Sequence, residues 1–498
     1  MATPDLEAQA QGGAAAPVEL NEFEALLNKE FKPKTDEKKS AVQAAVRTLA
    51  EQALGATKLI STDAVKSIEA IIAEIDKKLS EQINLILHHE DFKALEGSWR
   101  GLHHLVNNTE TDETLKIRVL NISKKEVAGT LKKFKGTAWD QSPLFKKLYE
   151  EEFGSPGGQP YGCLMGDYYF DHSAPDVEML SGMAQIASAA HAPFITAAGP
   201  GLMGMESWQD LSNPRDLTKI FQTPEYAAWR SLRDSDDAKY IGLTMPRFLS
   251  RIPYGAKTAP VEEFAFEEDT EGADHSKYVW SNAAYAMATN ITRSFKLYGW
   301  CARIRGAESG GMVEGLPVHT FPTDDGGVDM KCPTEIAITD RREAELAKNG
   351  MMPLSHWKNS DFSVFVGAQS LQKPAVYDDP DATANANLAA RLPYLFATTR
   401  FAHFLKCMVR DKIGSFKERD EMAAWLNDWI KNYVVAGNAS EIDKARRPLA
   451  AAEVVVEEVP GNPGYYTSKF FLRPHYQLEG LTISLRLVSK LPSAKGGS

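Results

Sequence analysis

Seven aliphatic residues, Val65, Ile68, Ile72, Ile75, Leu79, Ile83 and Ile86, follow one another by steps of three and four. That spacing lays them in one stripe along one face of an α-helix. Thr62 can cap the N-terminus and Asp63 sits in the first turn, so the spacing predicts a helix from about 63 to 88. A helix of that length is long for a globular chain, and its nearly heptad stripe has to be covered. The cover is either another helix of the same chain or a helix brought by a partner. The residues alone leave both open, and Val65, Ile68, Ile72, Ile75 and Leu79 are the candidate docking residues.

The chain before this helix changes character twice. Residues 1–17 are rich in Ala, Gln and Gly, without periodicity, and read as a disordered tail. Residues 18–39 then form a short amphipathic helix and a charged spacer. Leu20, Phe23, Leu27 and Phe31 share helical spacing, and Lys32-Pro33 ends the pattern. An isolated apolar stripe docks either on its own domain or in the groove of a partner.

The expected fold class is α/β, of the mixed α+β kind. Residues 40–110 read as a helical region. Residues 111–383 read as α/β domains, with strands at 115–122, 161–170, 193–198, 240–245 and 362–366 between helical stretches at 124–134 and 281–303. This alternation argues for a mixed sheet. Residues 384–450 return to helix. Residues 451–498 read as C-terminal β strands and a tail. Lys469 to Arg473 forms one run, and Leu481, Ile483, Leu485 and Leu487 alternate with Thr482, Ser484 and Arg486, a strand period of two.

Composition excludes several classes of function. The 498 residues are 43% hydrophobic and 25% charged, ordinary for a soluble protein of about three domains. No apolar run approaches the roughly 18 residues of a spanning helix. The first residues lack a basic secretory leader, so the expected location is the cytoplasm, without membrane insertion. A net charge of -11 argues against a nucleic-acid partner, which needs a basic field. Cys163, Cys301, Cys332 and Cys407 form no CxxC pair, which argues against a closed zinc site.

Candidate chemistry is weak throughout. Gly199-Pro200-Gly201-Leu202-Met203-Gly204 fits GxGxxG. Pro200 lacks the N–H that a pyrophosphate would need, and Pro214 cuts short any following helix. Ala307-Glu308-Ser309-Gly310-Gly311 lacks the strand–turn–helix setting of a nucleophile elbow. Asp324, Asp325 and Asp329 lack the closing Glu of an EF-hand. The pairs His88-His89 and His103-His104 point apart on a helix. Asp167 and Asp171 share a strand face without His172. Gly255-Ala256-Lys257-Thr258 lacks the Gly-Lys of a phosphate loop. No catalytic residue, cofactor or metal site is expected.

Longer blocks carry more information. They are Leu95-Glu96-Gly97-Ser98-Trp99-Arg100-Gly101-Leu102; Ile304-Arg305-Gly306 with Gly310-Gly311 and Gly315-Leu316-Pro317; Phe321-Pro322-Thr323-Asp324; Arg391-Leu392-Pro393-Tyr394; Arg400-Phe401-Ala402-His403-Phe404-Leu405-Lys406; Arg410-Asp411-Lys412-Ile413-Gly414; Arg473-Pro474-His475-Tyr476; and Leu485-Arg486-Leu487-Val488-Ser489-Lys490-Leu491-Pro492. Together, over about residues 20 to 492, the chain resembles the large contractile-sheath subunit of bacterial type VI secretion systems, the TssC/VipB family.

The resemblance implies a structural protomer rather than an enzyme, with a core related to phage-tail sheaths. It implies pairing with a small sheath subunit (TssB/VipA) and polymerisation with further copies of the chain. The resulting helical tube surrounds an inner tube of Hcp, is mounted on a baseplate, and contracts to expel that tube. It further implies disassembly by the AAA+ ATPase ClpV. On this reading the 20–31 helix is a candidate ATPase-binding element. The run from Leu481 to Leu487 is a candidate inter-subunit strand, and the stripe from Val65 a docking surface for the small subunit. The alternative is a cytosolic α/β enzyme with an unrecognised site.

Overall fold

The computed structural model describes residues 64–213, 216–270, 272, 274–323, 325–414, 419–460 and 466–477. The expected helix with Leu20, Phe23, Leu27 and Phe31 lies outside the described residues. So does the alternating run with Leu481, Ile483, Leu485 and Leu487. The described residues divide into two compact units, one made of 64–89 with 253–270 and the other of the remainder.

In the first unit, helix α1 spans Ala64–Leu87, matching the length that the aliphatic stripe demands. The loop 253–270 is fixed to its C-terminal end by side-chain amides. Asn84 Nδ2 donates to the Glu267 carbonyl at 3.1 Å, and the Asp269 N–H donates to Asn84 Oδ1 at 2.9 Å. The loop closes on itself through Glu268, whose N–H donates to the Tyr254 carbonyl and whose carboxylate accepts the Tyr254 N–H, both at 2.9 Å.

The second unit is built on a six-stranded sheet. Its strands are β1 (Leu164–Phe170), β2 (Phe194–Ala198), β3 (Ile241–Met245), β6 (Met312–Val313), β9 (Met351–His356) and β10 (Ser363–Phe365), in the order β1-β2-β3-β9-β10-β6. The first three pairings are parallel and the last two antiparallel. β2 and β3 are buried at every position, the signature of central parallel strands covered on both faces. Four shorter strands, β4 (Phe248–Leu249), β5 (Trp280–Ser281), β7 (His319–Pro322) and β8 (Val328–Lys331), form two small antiparallel pairs, β4 with β5 and β7 with β8.

The helices of this part are α2 (Glu90–Asn107), α3 (Lys124–Lys133), α4 (Ala174–Ala190) and α5 (Ala283–Tyr298). Two of them, α4 and α5, pack on this sheet, while α2 packs on α5 and β5 and α3 packs on α4. α3 opens with a capping box in which Ser123 and Glu126 satisfy each other's backbone N–H groups, as the Ser-x-x-Glu spacing dictates. α5 is capped by Asn282 and stops at Gly299, which adopts φ +78. The expected extension to Arg303 therefore fails: a glycine in the left-handed region closes the helix. The expected strand at 115–122 also fails. Lys116 and Arg118 anchor that segment through Gln159 and Glu152, Ile117 and Ile122 rest on the core, and no ladder partner forms among the described residues.

The C-terminal part carries its own core. Helices α6 (Asp340–Lys348), α7 (Pro380–Ala389), α8 (Leu392–Asp411) and α9 (Arg419–Lys431) precede an antiparallel hairpin of β11 (Leu449–Glu458) and β12 (Tyr466–Pro474). Trp300, Phe401, Leu405, Leu426, Ile430, Leu449, Val454 and Val456 pack together beneath the hairpin. The Trp300 and Phe401 rings stack with centroids 4.3 Å apart.

Candidate assembly surfaces

The structure gives the catalytic-looking motifs structural work. The Gly199–Gly204 stretch becomes a short 3-10 turn in which Leu202 and Met203 are buried. Asp171 accepts the Ser173 N–H at 2.7 Å, and its own N–H donates to Asp176 at 2.9 Å, so both carboxylates organise the start of α4. His172 stacks on Tyr226 at 4.3 Å. Asp167 receives the Tyr285 hydroxyl at 3.2 Å. The Ser309 N–H donates back to the Gly306 carbonyl, which places the serine inside a turn. Thr258 donates to the Pro253 carbonyl at 2.6 Å, and the Ala256 N–H is taken by Glu267, so an anion would meet a carboxylate there. Burial pushes the thiols of Cys163, Cys301 and Cys332 up, that of Cys301 to about 12, which keeps them protonated and unreactive. No group of His, Cys, Asp or Glu among the described residues could hold a metal ion. No described helix is long and apolar enough to cross a membrane.

What the structure does present are surfaces. On α1 the docking candidates Val65, Ile68, Ile72, Ile75 and Leu79 lie along one helix face by position. Ile72 is exposed, while Ile75 and Leu79 are half-buried.

Helix α2 has two faces of opposite character. Gly97, Gly101 and Leu105 are buried, and the glycines let the helix backbone approach β5 and the Tyr285 ring. The other side carries Phe92, Leu95, Trp99 and Val106, all exposed, Trp99 at 65%. Steps of three, four and seven were the available signal for this second stripe, which pattern reading of the sequence passed over. On the flank of the same helix, Glu96 receives Arg251 Nε at 2.7 Å and Arg100 Nε at 2.6 Å. Burial pushes the Glu96 carboxyl up, but the two guanidinium groups outweigh it and hold the group below the usual range.

The hairpin is the third surface. Val454 and Val456 face α9 and are buried. On β12, Tyr466, Phe470 and Phe471 are exposed, Phe471 at 58%. Among the described residues β12 pairs only with β11. The chain leaving β12 is fastened at Gln477 by three bonds of 2.8 Å. Its N–H donates to the Tyr394 hydroxyl, its Nε2 to the Ala302 carbonyl, and its Oε1 accepts from Arg305 Nε. The expected inter-subunit residues Leu481, Ile483, Leu485 and Leu487 follow this anchor in sequence, outside the described residues.

A family model described as VipB, "EvpB/VC_A0108, tail sheath N-terminal domain", matches residues 69–372. A second, VipB_2, "tail sheath gpW/gp25-like domain", matches residues 381–491. A curated relative, the type VI secretion system sheath protein TssC1 of Pseudomonas aeruginosa PAO1, is 74% identical over 497 residues, covering 99% of this chain and 100% of the relative. Among solved structures, an anti-feeding prophage baseplate matches at 10% identity and TM-score 0.37, covering 76% of this chain and 84% of the other. A contracted sheath complex of an extracellular contractile injection system, PVC, matches at 10% identity and TM-score 0.33, covering 62% and 68%.

Proposed function

The chain belongs to the VipB family of type VI secretion sheath proteins, and from that premise we propose that it works as the large protomer of a contractile tube. It is a structural sheath protein, not an enzyme. The observation that carries the proposal is the match to a sheath protein along essentially the whole chain. In this reading the face of α1 with Val65, Ile68, Ile72, Ile75 and Leu79 receives helices of the small subunit, TssB/VipA. The run Leu481, Ile483, Leu485 and Leu487 adds as a strand to the hairpin of a neighbouring copy. Backbone pairing then gives directional strength, and the exposed aromatic residues of β12 give burial. The helix expected around Leu20, Phe23, Leu27 and Phe31 serves as the handle for the disassembly ATPase ClpV. A few such side chains, each contributing roughly 1.5–3 kcal/mol when buried, suit a reversible contact.

Contraction needs no nucleotide in this chain. A tube assembled in the cytoplasm on a baseplate and around an Hcp inner tube is held in a higher-energy lattice. Release at one end lets each layer pass to a second packing, a transition between two discrete arrangements.

Co-expression with the small subunit followed by electron microscopy tests this. Long hollow helical tubes are the expected result. A discrete, monodisperse particle that turns over a substrate would overturn it and support the enzyme alternative. Ile483→Pro is expected to abolish tubes while leaving the heterodimer soluble, and normal tubes would count against strand exchange.

A further inference from the structure

Strands β7 and β8 form an arm with a fixed root and an open tip. At the root, Lys331 is buried and donates from Nζ to the Gly272 carbonyl at 2.6 Å. Its ammonium group stands 4.8 Å from the centre of the Tyr278 ring, and the Tyr278 hydroxyl meets His319 Nδ1 at 2.7 Å. His319 faces Lys331 in the ladder, and the pairs Thr320–Met330, Phe321–Asp329 and Pro322–Val328 carry it outward. The Gly326 N–H donates to the Thr323 carbonyl at 2.9 Å and the Thr323 N–H to the Gly327 carbonyl at 3.0 Å, which closes the turn. Asp325 accepts from the Thr323 hydroxyl and the Gly327 N–H, and these bonds hold its carboxyl below the usual range. Among the described residues, every hydrogen bond of 320–330 stays inside the arm. Residues 325–329 are exposed, Val328 at 77%. Residues 316–330 hold Asp324, Asp325 and Asp329 and no Lys or Arg.

Helix α3 carries the opposite charge. Lys125, Gly129, Lys132 and Lys133 fall on one face by their spacing of four, seven and eight. Val127 and Leu131 turn the other way, into the core. The three lysines are exposed, and no hydrogen bond or ion pair reaches them among the described residues. The charges beside them are occupied: Lys124 by Asp176 at 2.7 Å, Glu126 by the Ser123 N–H at 2.8 Å, and Lys135 by Glu178 at 2.6 Å. A Cβ on Gly129 would meet nothing within 4 Å, so the lysines flank a stretch of bare, open backbone.

We propose that the acidic tip of the β7–β8 arm docks on the Lys125–Lys133 face of α3 in a second copy of this chain. The inference rests on the polymer reading above. Charge names the occupant first. Each copy carries a net charge of -11, so copies gathered in a lattice repel one another except where opposite signs meet. Symmetry names it second. Arm and face are different patches of one chain, so their contact is heterologous and repeats from copy to copy into a ring or an open helix, the arrangements from which a tube is made. Exposed ion pairs hold little each, so this contact sets approach and register rather than strength, and Val328 lays its apolar surface on the bare backbone at Gly129.

The test uses the full chain co-assembled with its small subunit, carrying a photo-crosslinking amino acid in place of Val328. Mixing light and isotope-labelled chains separates intermolecular from intramolecular products in mass spectrometry, and intermolecular crosslinks are expected on residues 124–135. The charge is tested by assembly rate. Lys132→Glu with Lys133→Glu is expected to slow tube formation by about tenfold at low salt, and the gap should close as ionic strength rises. Adding Asp325→Asn and Asp329→Lys should restore the rate, the asparagine keeping an acceptor for the turn. A folding defect in the helix variant would persist in salt and would not be rescued by a change on the arm. Tubes in which Val328 crosslinks to the small subunit, or only within its own chain, would overturn this contact and leave the polymer standing. So would an unchanged rate, or a slowing that neither salt nor the arm variant relieves. Failure of the parent chain to form tubes at all would overturn the polymer reading and this inference with it.

Discussion

The carbonyl oxygen of Trp280 fills the space that a side chain on Gly97 would occupy. One turn further along α2, the Tyr285 ring fills the corresponding space at Gly101. The Ser281 hydroxyl, between them in sequence, donates to the Gly97 carbonyl at 2.7 Å. The helix thus meets β5 and α5 at backbone distance, and the pair of glycines four residues apart is what makes that approach possible.

Gly97→Ala is expected to cost about 1–3 kcal/mol, because backbone rather than a flexible side chain must yield. Gly101→Ala should cost a similar amount through the buried Tyr285. Gly129→Ala in α3 provides the opposite sign. A Cβ there meets nothing within 4 Å, so the exchange should stabilise by about 0.5–1 kcal/mol through helix propensity. Thermal unfolding of the three variants side by side checks both directions.

Acid should destabilise the fold through His403. The residue is buried, donates from Nε2 to the Ala190 carbonyl at 2.8 Å, and lies 4.9 Å from the Phe153 ring. Burial lowers its pKa to about 4, with Arg400, His191 and Lys406 adding repulsion. Because the folded value lies below the ordinary 6.5, the unfolded chain takes up the proton first. Stability is therefore full above about pH 6.5 and declines as pH falls toward about 4, by on the order of 3 kcal/mol. His403→Gln should reduce the slope of Tm against pH in that window. An unchanged slope would assign the acid sensitivity to other groups, such as His275, which burial also lowers to about 4.

Glu96→Gln should weaken the flank of α2. The carboxylate serves two guanidinium groups, and the side chain of Arg251 is 8% exposed. Losing the negative charge leaves a positive group in a poorly solvated place, a cost of about 1.5–3 kcal/mol. At low pH the variant and the parent should converge, because protonation removes the same charge. Denaturant midpoints at neutral and acid pH check this.

Phe401→Ala should cost about 3–5 kcal/mol by opening a cavity under Trp300. The ring is fully buried at the junction of α8, α9 and the hairpin. The expected result is a chain whose C-terminal core becomes protease-sensitive before the six-stranded sheet does, read by limited proteolysis with mass mapping.

If the α1 stripe receives the small subunit as proposed, Ile72→Asp with Ile75→Asp should cut its co-purification by at least about tenfold, since each change would place a charge in an apolar interface. Helical content by circular dichroism should stay within error of the parent, because both residues retain solvent access on α1. Leu20→Asp with Phe23→Asp should instead leave tubes intact and weaken ATPase binding. Unchanged binding would refute the proposed handle role of that segment.

Much of the architecture could be read from pattern. The stripe from Val65 to Ile86 marked α1 to within a residue or two, and uninterrupted apolar runs marked β2 and β3, because strands buried on both faces leave no polar alternation to confuse the reading. Failures came where tertiary context decides. Leu115 to Ile122 has the composition of a strand, but a strand needs a neighbour, and salt bridges and side-chain amides took that place. β11 went unseen as a separate element because Val454-Val455-Val456 gives no period and its pairing with β12 is a fact of the fold. The two bonds of Asn427 to Val454 were invisible for the same reason: an asparagine in an amphipathic helix gives no sign that it meets a strand twenty-seven residues away. The sheath assignment itself came from the resemblance of separated blocks, not from periodicity or charge.

The anchor at Gln477 has a mechanical consequence. If residues beyond it are held by a neighbouring protomer, tension along the chain reaches Gln477 before it reaches the hairpin. Its three bonds pass that pull into the first turn of α8, through Tyr394, and into the chain at Ala302 and Arg305. The ladder of β11 and β12 is thereby spared from being peeled one rung at a time. A subunit dragged through a lattice rearrangement is then gripped by its body, not by its hem.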